Sequence, residues 1–341
     1  MKRLQNLMKK KSFKLIMIFG IIKKITILLL ILFFTSCNEK INDPVKIIPI
    51  STEYGEFNVW TKKIGNNPTK KVLLLHGGPG ANHQYFKSFE SFFPNEDIEF
   101  YYYDQLGSTL SDNPQIKDLW TIEHYVEEIE QVRKALGLTK DNFILLGHSW
   151  GGILGLEYAL KYQNNLKSLI VSNMVPSVPD YNDYANNVLA PQLDPEILKE
   201  IRSYEAVKDY TNETYLGLIH EHYYPKHVMR IPANEWPKDV SNAFAEINFP
   251  IYLKMQGPSE FGIVGDASLK NWDVTERLNE IKVPFLSIGA TYDTMDPVQM
   301  EWMASQVQDG TYLNCPNGSH MAMWDDQQNY FEGLIDFINQ L

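Results

Sequence analysis

Three residues define the chemistry open to this sequence: Ser149, Asp293 and His320. A serine hydroxyl alone is a weak nucleophile. It needs a neighbouring base to take its proton and a third group to orient that base. Ser149 lies in Gly147-His148-Ser149-Trp150-Gly151, which fits G-x-S-x-G. The motif by itself is a weak signal, and a serine there could equally cap a helix. Its setting makes it informative. The apolar run Phe143–Leu146 precedes it and a helix-like segment follows to Tyr162. In such a strand–turn–helix the serine occupies a strained turn, and the flanking glycines let strand and helix approach closely.

Asp293 follows the apolar run Val283–Gly289, and His320 follows Thr311–Asn314. Both are expected in loops at the carboxyl edge of a parallel sheet, where ligands bind in open α/β folds. The chain order Ser…Asp…His is that of α/β-hydrolases. Asp296 is a rival for the acid. Among the other histidines, His148 sits inside the turn, His76 belongs to another turn, and His220, His222 and His227 fall in a later segment. Acyl transfer also needs two N–H donors for the developing oxyanion. Trp150, after the nucleophile, and Gly78, in His76-Gly77-Gly78-Pro79-Gly80, are the candidates. A cis proline turn is expected in the same stretch. This chemistry needs no cofactor, and zinc-ligand spacing is absent.

The elements that must position these residues alternate. Strands are expected at 72–75, 100–103, 143–147 and 166–171, with helices at 121–136 and 150–162. Apolar strands of this kind argue a doubly wound, mainly parallel sheet. Residues 51–176 and 271–341 form the α/β core. Residues 177–270 lack the alternation, are rich in aromatics, and read as a helical cap with helices near 194–208, 212–224 and 238–255.

The chain has 31 Lys and Arg, 42 Asp and Glu, and a net charge of −11. Residues 1–36 hold eight of the cations and no acid, leaving 23 basic against 42 acidic residues beyond them. A body so acidic is a poor nucleic-acid binder. Lys23-Lys24, the apolar run Ile25–Phe34 and Thr35-Ser36-Cys37 resemble a bacterial lipoprotein signal, with Cys37 the lipid attachment point. Met17 is an alternative start, and an uncleaved anchor helix is an alternative reading. Residues 37–50 read as a linker, and the body is expected in the cell envelope, tethered to a membrane outside the cytoplasm. With Cys37 acylated, Cys315 is alone and forms no disulfide.

His76-Gly77-Gly78-Pro79-Gly80, Asp104-Gln105-x-Gly107-Ser108, Gly147-His148-Ser149-Trp150-Gly151-Gly152 and Gly289-x-x-Tyr292-Asp293-x-x-x-Pro297 together resemble the proline iminopeptidase family of serine aminopeptidases. The similarity extends over about residues 50–341 and into the cap. There Gln256-Gly257-Pro258-Ser259-Glu260-Phe261 is similar to the tricorn-interacting aminopeptidase branch. The resemblance implies release of an amino-terminal residue, often proline, from short peptides. It also implies carboxylates that hold the substrate amine, with Glu260 matching such a residue and Glu221 a weaker candidate. Two departures concern the strictness of proline selection: Thr294 stands where a second acid is usual, and Leu106 where an arginine is. The rival enzyme reading is an esterase, lactonase or amidase of the same fold. The rival non-enzymatic reading is a surface binding protein. Dehalogenase and epoxide-hydrolase chemistry is disfavoured, because those relatives carry Asp at the turn.

Overall fold

The computed structural model describes residues 44–341. The signal-like segment, Cys37 and the first part of the expected linker lie outside the described residues. The rest of that linker is not a linker. Val45–Thr52 is a strand, β1, paired antiparallel with β2 (Gly55–Ile64) along its whole length. Ile48 and Ile50 point into the core while Ile47 is half exposed, the alternation of an edge strand. Pro49 is tolerated because an edge strand has backbone positions that need no ladder donor.

The sheet has eight strands in the order β1-β2-β4-β3-β5-β6-β7-β8. The remaining strands are β3 (Lys71–Leu75), β4 (Glu99–Asp104), β5 (Phe143–His148), β6 (Ser168–Ser172), β7 (Phe285–Ala290) and β8 (Gly310–Cys315). β2 runs antiparallel to β4, and every pairing from β4 to β8 is parallel. Successive strand residues feed two cores, one on each face. Leu73, Leu145 and Leu169 belong to one; Val72, Ile144, Leu146 and Ile170 belong to the other. Burial on both faces is why these strands read as continuous apolar runs.

Helix α1 (Ile122–Leu136) begins where Thr121 accepts from the His124 N–H and ends at Gly137 in the left-handed region. Helix α2 (Trp150–Tyr162) follows β5 directly. Between β6 and β7 the chain builds the cap: α3 (Val178–Tyr184), α4 (Pro195–Ala206), α5 (Glu213–His222), α6 (Tyr224–His227), α7 (Lys238–Ala245) and α8 (Phe249–Met255). The chain bridges with itself between Ser177 and Asp273 at the base of the cap. Helix α9 (Pro297–Gln306) follows β7, and α10 (Ala322–Asp325) and α11 (Gln327–Gln340) close the chain.

Two cap helices differ from expectation. The helix expected over 238–255 is broken at 246–248. Pro250 has no N–H to donate and its ring would clash with the carbonyl of Glu246, so a helix cannot run through this stretch, and Asn248 has ψ 84°. The break has a use: the Asn248 N–H donates to the Gly80 carbonyl at 2.8 Å and its side chain donates to the Gly107 carbonyl at 2.8 Å. Helix α3 was not expected. It is short, but its start carries a cap signal, since Ser177 accepts from the Asp180 N–H at 3.2 Å and Pro179 lies in the first turn.

Candidate active site

β5 ends at His148, and Ser149 turns the chain into α2 with φ 55° and ψ −124°. A side-chain-bearing residue held there costs ~1–3 kcal/mol and persists only where its surroundings force it. The glycines show what forces it. A Cβ on Gly147 would lie 1.9 Å from the Gly151 carbonyl oxygen, and one on Gly151 would lie 2.1 Å from the Leu75 carbonyl oxygen. No other residue type lets strand, turn and helix close this tightly. Although Ser149 holds the N-cap position of α2, its side chain makes no capping hydrogen bond. Among the described residues its hydroxyl has no hydrogen-bond partner at all, and it opens into a small cavity shared with His320.

His320 lies in the loop after β8. Its Nδ1–H donates to Asp293 Oδ1 at 2.8 Å, and Asp293 lies in the loop after β7. Among the described residues no hydrogen bond joins His320 to Ser149, but both line one cavity. Hydrogen bonds between nucleophile and base are often long in unliganded sites and tighten in the complex. Asp293 is fully buried and well supplied with donors. Oδ1 also accepts from the Met295 N–H at 3.1 Å and from the Thr294 hydroxyl at 3.4 Å. Oδ2 accepts from Asn173 Nδ2 at 2.6 Å. Asp296 plays another part, accepting from the Val298 N–H as the N-cap of α9.

Asn173 is a site residue that the sequence analysis missed. It follows β6 with φ 54°, a left-handed conformation that asparagine tolerates. Its amide is shared between Asp293 and the Ser319 carbonyl, so it ties the acid loop to the histidine loop. An asparagine directly after a parallel strand was the available signal.

Burial opposes charge on His320. The attraction and hydrogen bond of Asp293, with Glu260 and Asp325 behind them, outweigh it and hold the His320 pKa above its ordinary value. A general base must be neutral to take the serine proton. With His320 as the base, activity is expected to fall as pH drops through that raised value. The acid limb of kcat/KM is expected to have its midpoint above the usual imidazole figure of about 6.5. Asp293→Asn removes the largest favourable influence, so it should move the limb down as well as slow turnover. A pH–rate profile of both proteins checks this, and an unmoved limb contradicts the pairing.

The glycine-rich turn after β3 faces the elbow. Gly78 has φ 108°, and a Cβ there would lie 2.7 Å from the Ala81 nitrogen. The Gly78–Pro79 bond is cis. The Gly77 N–H is engaged by the Tyr85 hydroxyl. The N–H groups of Gly78 and Trp150 have no acceptor among the described residues. Two unused donors in the turns beside the buried Ser149 are what an oxyanion site requires. His76 is structural: its Nε2 accepts from the Gln105 N–H at 3.1 Å. Gln105 in turn accepts from the Trp150 indole at 2.9 Å and donates to the His76 carbonyl at 3.0 Å, joining the two halves of the oxyanion site.

The cavity at Ser149 is small, about 30 Å³, and is lined in part by Gly78, Tyr85, Phe244, Ile247, Glu260 and His320. A larger chamber of about 530 Å³, lined by cap residues, adjoins it and shares Phe244, Ile247 and Glu260. Glu260 is only 7% exposed. Its Oε1 accepts from the Tyr252 hydroxyl at 2.6 Å, while its buried Oε2 has no partner among the described residues. Burial and, more weakly, Asp293 raise its pKa, against the pull of His320 and the Tyr252 hydrogen bond. Glu221 does not join this group. It is exposed on α5 and lines neither cavity, because the face of α5 that packs inward carries Tyr215 and Ile219.

A nucleophile elbow, a His–Asp pair and paired oxyanion donors on this sheet define the class as a hydrolase of the α/β fold. The family model described as alpha/beta hydrolase fold matches residues 70–327. A proline iminopeptidase from Flavobacterium johnsoniae is 56% identical over 295 residues, covering 86% of this chain and 98% of that protein. Another from Elizabethkingia meningoseptica is 54% identical over the same shares. Among solved structures, a proline iminopeptidase from Mycobacterium smegmatis superposes with TM-score 0.76 at 27% identity, covering 87% of this chain and 98% of that one. The chain belongs to the proline iminopeptidase family.

Proposed function

We propose that this protein is a serine aminopeptidase that releases an unblocked amino-terminal residue, proline foremost, from short peptides. The observation that carries the reading is Glu260 Oε2. It is a buried carboxylate oxygen with no partner among the described residues, in the wall of the cavity that holds Ser149 and His320. A buried charge left unpaired is costly, so such a group calls for a cationic guest. An ammonium one carbon removed from a scissile carbonyl meets that need. It also explains why cleavage stops at the first residue.

In the proposed reaction the substrate amine sits on Glu260 and the carbonyl lies over Ser149. Ser149 Oγ attacks as His320 Nε2 takes its proton, and Asp293 holds the imidazolium through Nδ1. The Gly78 and Trp150 N–H groups receive the oxyanion. Loss of one such donor costs ~3–4 kcal/mol of transition-state stabilisation in comparable sites. His320 then gives its proton to the leaving amine, and a water activated by the same imidazole clears the aminoacyl ester. The chamber beyond Glu260 gives room to the side chain of the residue being released.

The departures bear on selectivity. Thr294 contributes a hydroxyl to Asp293 rather than a second charge for the amine. Leu106 is buried, and its N–H is held by Glu128 at 2.9 Å. Proline preference is accordingly proposed as strong rather than absolute. The test compares prolyl-naphthylamide with its N-acetyl form, in the parent and in Glu260→Gln; the parent turns over the first and not the second. For the cellular address, the sequence of residues 23–37 supports a lipid-anchored envelope enzyme.

A further inference from the structure

We infer that Tyr85 and His148 act together as positioning residues, locking the oxyanion turn, the nucleophile elbow and the loop of His320 into one register. The inference rests on the hydrolase chemistry proposed for the site, and it concerns two side chains to which that chemistry assigns no step.

The hydrogen-bond chain has a forced direction. The Gly77 N–H can only donate, so the Tyr85 oxygen accepts from it. The His320 carbonyl can only accept, so His148 Nε2 carries the proton and donates to it at 2.8 Å. His148 Nδ1 is then the bare nitrogen, and the Tyr85 hydroxyl donates to it at 3.1 Å. Every member is satisfied in one orientation and one tautomer. The chain runs from the residue before Gly78, through the residue before Ser149, to the backbone of the catalytic imidazole. The ends of three different strands are joined by two side chains.

The surroundings hold both rings in place. Tyr85 and His148 are buried, with ring centroids 5.2 Å apart, and the His148 and His320 rings are 4.9 Å apart. The Tyr85 backbone is pinned from the other side, since its carbonyl accepts from the Trp324 indole at 2.6 Å. A second proton on His148 would face the Tyr85 hydroxyl and break the chain. Burial, joined by the nearby His320, keeps His148 neutral. His148 thus stays uncharged while His320, beside it, cycles through its charged form.

What the chain fixes is the distance between the oxyanion donors and the base. Misplacement of such groups by about 1 Å can cost on the order of a hundredfold in rate. None of these hydrogen bonds involves Glu260, so the expected effect falls on the chemical step more than on recognition.

The experiment uses Tyr85→Phe, His148→Leu, the double variant and His148→Gln, each assayed on prolyl-naphthylamide and on p-nitrophenyl acetate. The ester reads the strut even if the aminopeptidase reading is wrong. Tyr85→Phe and His148→Leu are expected to lose tenfold or more in kcat on both substrates, with KM within about threefold, and to melt a few degrees lower because each leaves buried groups unpaired. The double variant should be no worse than the poorer single, because either change breaks the same chain. His148→Gln offers an amide donor and a carbonyl acceptor and should recover much of the loss. A kcat within twofold of the parent in Tyr85→Phe overturns the inference. So do losses that add in the double variant, or losses that vanish when each variant is assayed well below its own melting temperature, which would mark a merely structural pair.

Discussion

Ser149→Ala is expected to lower kcat on prolyl-naphthylamide by on the order of 10⁴–10⁶-fold, the scale seen when a triad nucleophile is removed elsewhere. The structure makes this an unusually clean change. Alanine keeps the Cβ that already sits in the strained turn, so no new conformational cost arises at φ 55°. The lost hydroxyl has no hydrogen-bond partner among the described residues, so no buried group is orphaned by its removal. The melting temperature should therefore stay within a few degrees of the parent, and KM should change little, because Glu260, Gly78 and the chamber walls remain. Labelling by a fluorophosphonate should vanish with turnover. Parent-level turnover in the variant would remove Ser149 from the chemistry and with it the whole acyl-enzyme route. Loss of labelling with turnover retained would point to a second, unrelated site.

What the sequence displayed, and what it concealed, follows from how local each feature is. The elbow was legible because everything that makes it sits within five consecutive residues: two glycines whose Cβ atoms would strike backbone oxygens, and a serine between them. Asp293 and His320 were legible because each follows a strand in the expected chain order, β7 as a buried apolar run and β8 as a short edge strand. Asn173 was concealed. Its meaning is a 2.6 Å bond to an aspartate 120 residues away, and nothing near it in the chain signals that partner. β1 was hidden for a different reason. Pro44 and Pro49 suggested a linker, yet an edge strand tolerates Pro49, and Ile48 and Ile50 supply the buried face. Glu221 failed as a candidate because helical phase decides it. The same helix buries Tyr215 and Ile219, which turns Glu221 to solvent. Glu260 was visible only through family resemblance. The structure adds what no residue pattern carries, an oxygen buried at the cavity wall without a partner.

That oxygen carries the second large effect. In Glu260→Gln, kcat/KM for prolyl-naphthylamide is expected to fall roughly 30- to 3000-fold. Breaking one side of a buried, hydrogen-bonded charge pair costs ~2–5 kcal/mol, and each 1.4 kcal/mol is tenfold. The amine is held in the ground state and in the transition state alike, so much of the loss should appear in KM, with a share in kcat where the carbonyl slips from Ser149. The fold should not suffer. Glutamine is isosteric, its carbonyl can still accept from the Tyr252 hydroxyl, and a buried charge is removed. Hydrolysis of p-nitrophenyl acetate, which has no amine to anchor, should stay within about threefold of the parent. The acid limb of the pH profile should also shift downward, since Glu260 is one of the groups that raise the His320 pKa. These outcomes separate the two enzyme readings on this fold. A variant that cleaves prolyl-naphthylamide as well as the parent does, while simple esters remain the better substrates for both, would make Glu260 a bystander and the protein an esterase.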